Sequence, residues 1–237
     1  MIPKKIHCCW FGSRPLGKLE QSCAASWSRA CPDYEIVFWN ETNSPVNDND
    51  YVKEAYRMKK WAFVSDYVRL RILSEYGGVY LDTDVELLKP LDNFINQAGF
   101  IGFESRQNVA TCVMGCVPGH PFFSWAAREY DKRVFCTADG NCDCTTNTTW
   151  LTDILCRRGL RQNGLTQCVS NITIYPPDVF CPLDLQTGKL RLSEQSAAIH
   201  HFAGSWMTPR QRFHTKIAQY IGVENTRKLK KLLRRCE

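Results

Sequence analysis

Glu75-Tyr76-Gly77-Gly78-Val79-Tyr80-Leu81-Asp82-Thr83-Asp84 decides how the fold is read. Residues 61–76 read as a helix, and Gly77-Gly78 suit the left-handed cap that ends one. Val79-Tyr80-Leu81 follows at once as a strand and delivers two acids at its carboxyl end. Upstream, Ile6-His7-Cys8-Cys9-Trp10-Phe11 reads as a buried first strand ended by Gly12. Residues 17–30 read as a helix and Glu35-Ile36-Val37-Phe38-Trp39 as a second strand. Downstream, strands are expected at 99–103, 109–117, 171–175 and 197–202, and helices at 121–133, 148–158, 209–220 and 223–235. Strands alternating with helices predict an α/β layer with a mixed, mostly parallel sheet. No repeat, low-complexity tract or dividing linker interrupts it. One domain is therefore expected over 1–222, with 223–237 a basic amphipathic helix belonging to it or appended.

Composition narrows the function. The 237 residues include 30 Lys or Arg and 24 Asp or Glu, a formal charge of +6. Arg227, Lys228, Lys230, Lys231, Arg234 and Arg235 supply that whole excess, so the rest of the chain is neutral. A basic sheath for nucleic acid is thereby excluded. Leu229, Leu232 and Leu233 at i, i+3 and i+4 among these charges make a segment suited to an anionic membrane surface. No apolar run reaches the length of about 18 residues that a spanning helix needs.

Thirteen cysteines, an odd count, show no C-x-x-C spacing, so zinc and dithiol redox pairings lack their usual signature. Cys136, Cys142, Cys144 and Cys156 form the only local cluster. No secretory leader is read before Ile2, and the setting expected is reducing and cytoplasmic, with peripheral contact at the inner membrane face.

The chemistry centres on Asp82 and Asp84. Side chains two apart in an extended chain point the same way, so the two carboxylates are expected to converge where open α/β sheets bind ligands. Paired carboxylates there suit Mn²⁺ or Mg²⁺, which keep positions open for phosphate oxygens. Asp66 and Arg69 lie three apart on one face of the preceding helix: an ordinary surface ion pair, or a group meeting a sugar and a phosphate. Ile199-His200-His201-Phe202-Ala203-Gly204-Ser205-Trp206 puts two histidines on a strand before a turn, and their alternation lets only one join a site.

Together these segments resemble the D-x-D glycosyltransferases of family 32, particularly the bacterial capsular-polysaccharide type. The resemblance rests on Ile2–Gly12, on Ala62-Phe63-Val64-Ser65-Asp66-Tyr67-Val68-Arg69, on Glu75–Asp84, on Ile174–Pro182 and on His200–Trp206. It implies a GT-A-like fold, a nucleotide-sugar donor (UDP-linked), a divalent metal and retention at the anomeric carbon. It also implies roles. Trp10 would stack on the donor base, Asp66 bind donor hydroxyls, Arg69 meet the diphosphate or sugar, and Tyr80 flank the site. Asp82 would lie near ribose and metal, Asp84 be the principal metal ligand, His201 complete the coordination, and Trp206 close over the phosphates. Asp82, Asp84 and Arg69 would carry catalysis. The acceptor implied is a glycan hydroxyl on a lipid-linked oligosaccharide. Rival readings are a protein-glycosylating effector and a non-catalytic nucleotide-sugar or metal-binding module.

Overall fold

At Gly77 the chain leaves a helix with φ 64° and ψ −150°, a region open to glycine, and Gly78 follows at φ 87°. A Cβ on Gly77 would lie 2.6 Å from Pro118, and one on Gly78 2.9 Å from the Lys5 carbonyl. The cap keeps the positive φ expected but not the left-handed helical ψ, and both glycines sit where a Cβ would meet a neighbouring segment.

The computed structural model of the protein describes residues 1–137 and 139–204. In chain order the elements are β1 (Lys5–Cys9), α1 (Lys18–Ala30), β2 (Glu35–Trp39), α2 (Asp50–Arg57), α3 (Trp61–Tyr76), β3 (Gly78–Leu81), β4 (Val85–Leu87), β5 (Gly99–Phe103), β6 (Val109–Cys116), α4 (Pro121–Glu129), α5 (Asn147–Arg157), β7 (Gln167–Val169), β8 (Ile172–Tyr175), α6 (Pro177–Phe180) and β9 (Ala198–His200). The expected helices at 209–220 and 223–235, the boundary at 222/223, Trp206 and the basic segment 227–235 lie outside the described residues.

Seven strands form one sheet in the order β2-β1-β3-β6-β5-β8-β7, and β4 pairs with β9 in a second, two-stranded sheet. β2, β1, β3, β5 and β8 run one way while β6 and β7 run the other, so the large sheet is mixed with a parallel majority. This is the α/β, GT-A-like architecture expected. Helices cover both faces. Val64, Val68 and Leu73 of α3, Phe123 of α4 and Leu151 of α5 pack with Tyr80, Ile101 and Met114 on one side. Trp27 of α1 and Phe180 of α6 pack with Val79, Leu81, Val85 and Phe100 on the other. Each such side chain, fully buried, contributes about 1.5–3 kcal/mol before entropy is counted.

Most of α3 lies inside, with Val64, Tyr67, Val68, Leu70, Ile72 and Leu73 buried, while Arg71, Glu75 and Tyr76 reach solvent. Two ionic side chains, Asp66 and Arg69, go inside with it. The surface ion pair is thereby ruled out.

β4 is too short to stand alone. Trp27 Nε1 donates to the Val85 carbonyl at 2.7 Å, and the Leu87 amide donates to Ser26 Oγ at 2.9 Å, so α1 satisfies one edge while β9 satisfies the other. Cys136 and Cys142 are joined in a disulfide. The bond pairs two members of the local cysteine cluster, while Cys144 and Cys156 stay free. No helix among the described residues is long and apolar enough to cross a membrane.

Candidate active site

β3 ends at Leu81, and the Asp82 amide still donates to the Cys112 carbonyl of β6 at 2.9 Å. The chain then turns, the Val85 amide donating to the Asp82 carbonyl at 3.0 Å. Asp82 and Asp84 thus converge, as expected, but through a turn rather than through strand alternation. Together with His200 they bring three ligand atoms within 4.8 Å of one another.

The histidine is the neighbour of the one expected. β9 pairs antiparallel with β4 so that Val85 faces His200 and Glu86 faces Ile199. With side chains alternating, His201 falls on the Ile199 and Glu86 face, and its Nε2 lies 2.9 Å from Glu86 Oε2. His200 instead turns Nε2 to within 3.4 Å of Asp84 Oδ1. His201 is therefore corrected to His200 as the histidine at the aspartates. Asp84 also organises the turn after β9: its carbonyl accepts from the His201 amide at 3.0 Å and its Oδ2 from the Ala203 amide at 2.7 Å. Phe202 takes a positive φ of 50° in that turn and lays its ring 4.0 Å from the His200 ring.

Burial would raise the Asp84 carboxyl, but His200 and the Ala203 amide outweigh it and hold the group below the usual carboxylate range. Burial would likewise lower His200, yet the Cys112 sulfur and the Asp84 carboxylate keep it well above an ordinary histidine. Just past β5, Glu104 is pushed up by burial, with His200 lowering it and Asp82 raising it. Sequence reasoning missed Glu104, since nothing in Phe103-Glu104-Ser105 distinguishes it from a loop acid.

Arg69 supports the pair from inside. Its Nη2 lies 3.2 Å from Asp82 Oδ1 and 3.3 Å from Asp66 Oδ1. Its Nη1 donates to the Thr111 carbonyl at 2.9 Å and to Thr111 Oγ1 at 3.2 Å, and its Nε to the Ser65 carbonyl at 3.1 Å. The guanidinium stacks on Tyr80, 4.7 Å from the ring centroid, while the Tyr80 hydroxyl donates to Asp82 Oδ1 at 3.0 Å. At 5% exposure, with every nitrogen engaged, Arg69 presents no free donor to a phosphate. The geometry makes it a positioning residue, which corrects the direct phosphate contact expected.

Asp66, 7% exposed, is equally committed. Its Oδ2 accepts from the Asn147 amide at 3.1 Å, and its carbonyl from Asn147 Nδ2 at 2.6 Å. Burial raises its carboxyl, against the opposing pull of Arg69 and the Asn147 amide. Asn147 starts α5, and the side chain of the preceding Thr146 accepts from the Thr149 amide as cap. That Thr-Asn-Thr-Thr start was readable as a helix onset; its bond to Asp66 was not.

Trp10 lies half-buried one residue past β1, on the same sheet edge as Asp82. Its amide donates to the Trp39 carbonyl at 2.9 Å and its Nε1 to the Arg14 carbonyl at 2.6 Å. It stands outside the two apolar cores.

Several known proteins are similar to this chain. Inositol phosphoceramide mannosyltransferase 3 of Schizosaccharomyces pombe is 30% identical over 145 residues, covering 56% of this chain and 38% of that protein. Human alpha-1,4-N-acetylglucosaminyltransferase is 33% identical over 72 residues, covering 30% and 20%. The chain thus spans less than half the length of these curated relatives, which are fungal and human rather than bacterial capsular enzymes. Among solved structures, the galactosyltransferase LgtC with donor and acceptor sugar analogues superposes with a TM-score of 0.45 at 14% identity, over 95% of this chain and 94% of that one. Residues 17–101, which hold Asp66, Arg69, Tyr80, Asp82 and Asp84, match the family model of the glycosyltransferase sugar-binding region containing the DXD motif.

Proposed function

We propose that this chain is a metal-dependent, retaining glycosyltransferase that moves a sugar from a nucleotide donor, UDP-linked, to an acceptor hydroxyl. The observation that carries this is the convergence of Asp82, Asp84 and His200, three ligand atoms within 4.8 Å, at the sheet edge where α/β folds bind nucleotides. Two carboxylates and an imidazole fit Mn²⁺ or Mg²⁺, and Asp84 keeps Oδ1 for that purpose while Oδ2 holds the Ala203 amide. A bound ion would offset the negative charge that gathers on the departing diphosphate.

The chain's own residues orient the rest. Arg69 and Tyr80 fix Asp82, and Asp66 fixes Arg69 against α5. Trp10 offers a ring face to the donor base. Trp206 is assigned to the phosphates by resemblance. With no side-chain nucleophile assigned, retention is read as same-face attack, the leaving phosphate accepting the proton of the acceptor hydroxyl.

The acceptor proposed is a glycan carried on a lipid, as in capsular-type lipid-linked oligosaccharides. A relative whose name specifies mannosyl transfer to inositol phosphoceramide supports a lipid-borne hydroxyl of that wider class. The basic segment 227–235 would bring the enzyme to an anionic surface holding such an acceptor. The test is a panel of nucleotide sugars incubated with Mn²⁺, reading nucleoside diphosphate released. Release from one donor, abolished by chelator, supports the reading; no release from any donor, with Mn²⁺ unbound, overturns it.

A further inference from the structure

His200 belongs to a second cluster as well. Cys112 on β6 and Cys181 just after α6 bring their sulfurs to 3.4 Å, and with the His200 imidazole they again place three ligand atoms within 4.8 Å. Three separate elements meet here, and the cysteines are 2% and 3% exposed. His200 Nδ1 is buried and has no hydrogen-bond partner among the described residues. A buried ring nitrogen without a partner is costly, and ligation is one way to satisfy it.

The sulfur spacing is informative. It is well beyond the bond of about 2.05 Å in a disulfide. It is close to the separation of about 3.8 Å between two thiolates on a tetrahedral ion with Zn–S near 2.3 Å. We propose that Cys112, Cys181 and His200 form a site for a soft divalent ion such as Zn²⁺, with Nδ1 the His200 ligand while Nε2 still faces Asp84. The two sites differ in chemistry: sulfur and nitrogen select Zn²⁺, whereas paired carboxylates select Mg²⁺ or Mn²⁺. Binding forms two metal–sulfur bonds and one metal–nitrogen bond, and the two thiol protons and the proton on the ligating imidazole nitrogen go to solvent. Three protein ligands leave the fourth position for water. The soft site stands independently of sugar transfer.

The test uses the reduced full chain and Cd²⁺ as the spectroscopic probe. One Cd²⁺ per chain should bind with thiolate-to-metal absorption. Cys112→Ser or Cys181→Ser should weaken that binding at least about tenfold, since even outer partners of a metal ligand are worth about 10–100-fold. Cys144→Ser and Cys168→Ser, at exposed positions, should leave it unchanged. X-ray absorption of the Zn²⁺-loaded wild type needs no variant and should count two sulfur neighbours. An all-oxygen-and-nitrogen shell, an absorption indifferent to Cys112 and Cys181, or a Cys112–Cys181 disulfide that excludes metal would overturn the proposal. If the soft site is real but sugar transfer is not, the Cd²⁺ signal persists while no donor is hydrolysed.

Discussion

Arg69 and Asp82 form an ion pair, 3.2 Å from Nη2 to Oδ1, that joins the buried interior of α3 to the turn at Asp82–Val85. A second carboxylate, Asp66, lies 3.3 Å from the same nitrogen, so one cation serves two anions. Removing one partner of such a buried network leaves uncompensated charge. Arg69→Met should therefore lower stability by about 3–5 kcal/mol, read as the urea midpoint. Arg69→Lys keeps the charge but cannot bond Thr111 and both carboxylates at once, so it should fold while losing turnover. A turnover loss in Arg69→Lys without any change in KM for the donor would fit positioning; loss of donor affinity alone would point to direct phosphate contact.

The two adjacent histidines separate by function. His200→Ala should reduce Mn²⁺ affinity and donor hydrolysis together, because its imidazole faces Asp84. His201→Ala should leave both close to wild type, since its ring pairs with Glu86. Calorimetric Mn²⁺ titration of the two variants decides the ranking, and the reverse order would move the ligand to His201.

How far the sequence could be read is clear at these same residues. Residues 61–76 and the Gly77-Gly78 break were legible because apolar length and paired glycines leave few alternatives. The D-x-D pair was legible as a site, but its turn was not, since the Asp82–Val85 hydrogen bond has no sequence signature. Which histidine faces the aspartates depends on register with β4, a Val-Glu-Leu strand too short to carry a period. The helix α2 was missed because Asn49-Asp50 reads as loop; in the structure Asn49 caps it by accepting from the Val52 amide. Cys112 and Cys181 stand 69 apart in sequence, so only folding reveals them as neighbours.

Trp10 distinguishes a binding role from a packing one. Trp10→Ala should weaken donor binding by about 1–3 kcal/mol, the range for an aromatic stacked on a base. Its Tm should fall little, because the ring lies outside both cores. A large Tm drop with unchanged affinity would assign it to packing instead.

His7 gives the fold an acid-sensitive clasp beneath the Gly77 turn. Trp39 Nε1 donates to its Nδ1 at 3.1 Å, so Nε2 carries the proton and donates to the Gly77 carbonyl at 3.1 Å. Burial pushes its pKa down from 6.5 to about 4, with the Gly77 carbonyl opposing, Lys5 adding and Glu35 opposing. Between those values the unfolded chain binds a proton that the folded one does not. Stability from this group is complete above pH 6.5 and is lost as pH falls towards 4, by about 3 kcal/mol in all. His7→Gln, which stays neutral, should flatten that part of the stability–pH curve; an unchanged curve would place the acid sensitivity elsewhere.

The central claim is that Asp84 holds a divalent ion for sugar transfer, and Asp84→Asn tests it directly. The amide oxygen can still accept from the Ala203 amide, so the turn at residues 201–204 is expected to survive, as near-ultraviolet circular dichroism would register. The decisive measurement is Mn²⁺-dependent release of nucleoside diphosphate from the donor, wild type against Asp84→Asn at saturating donor. The account predicts that the folded variant loses turnover by at least about a hundredfold, the scale of removing one electrostatic stabiliser. Mn²⁺-dependent turnover at the wild-type rate in Asp84→Asn would contradict it.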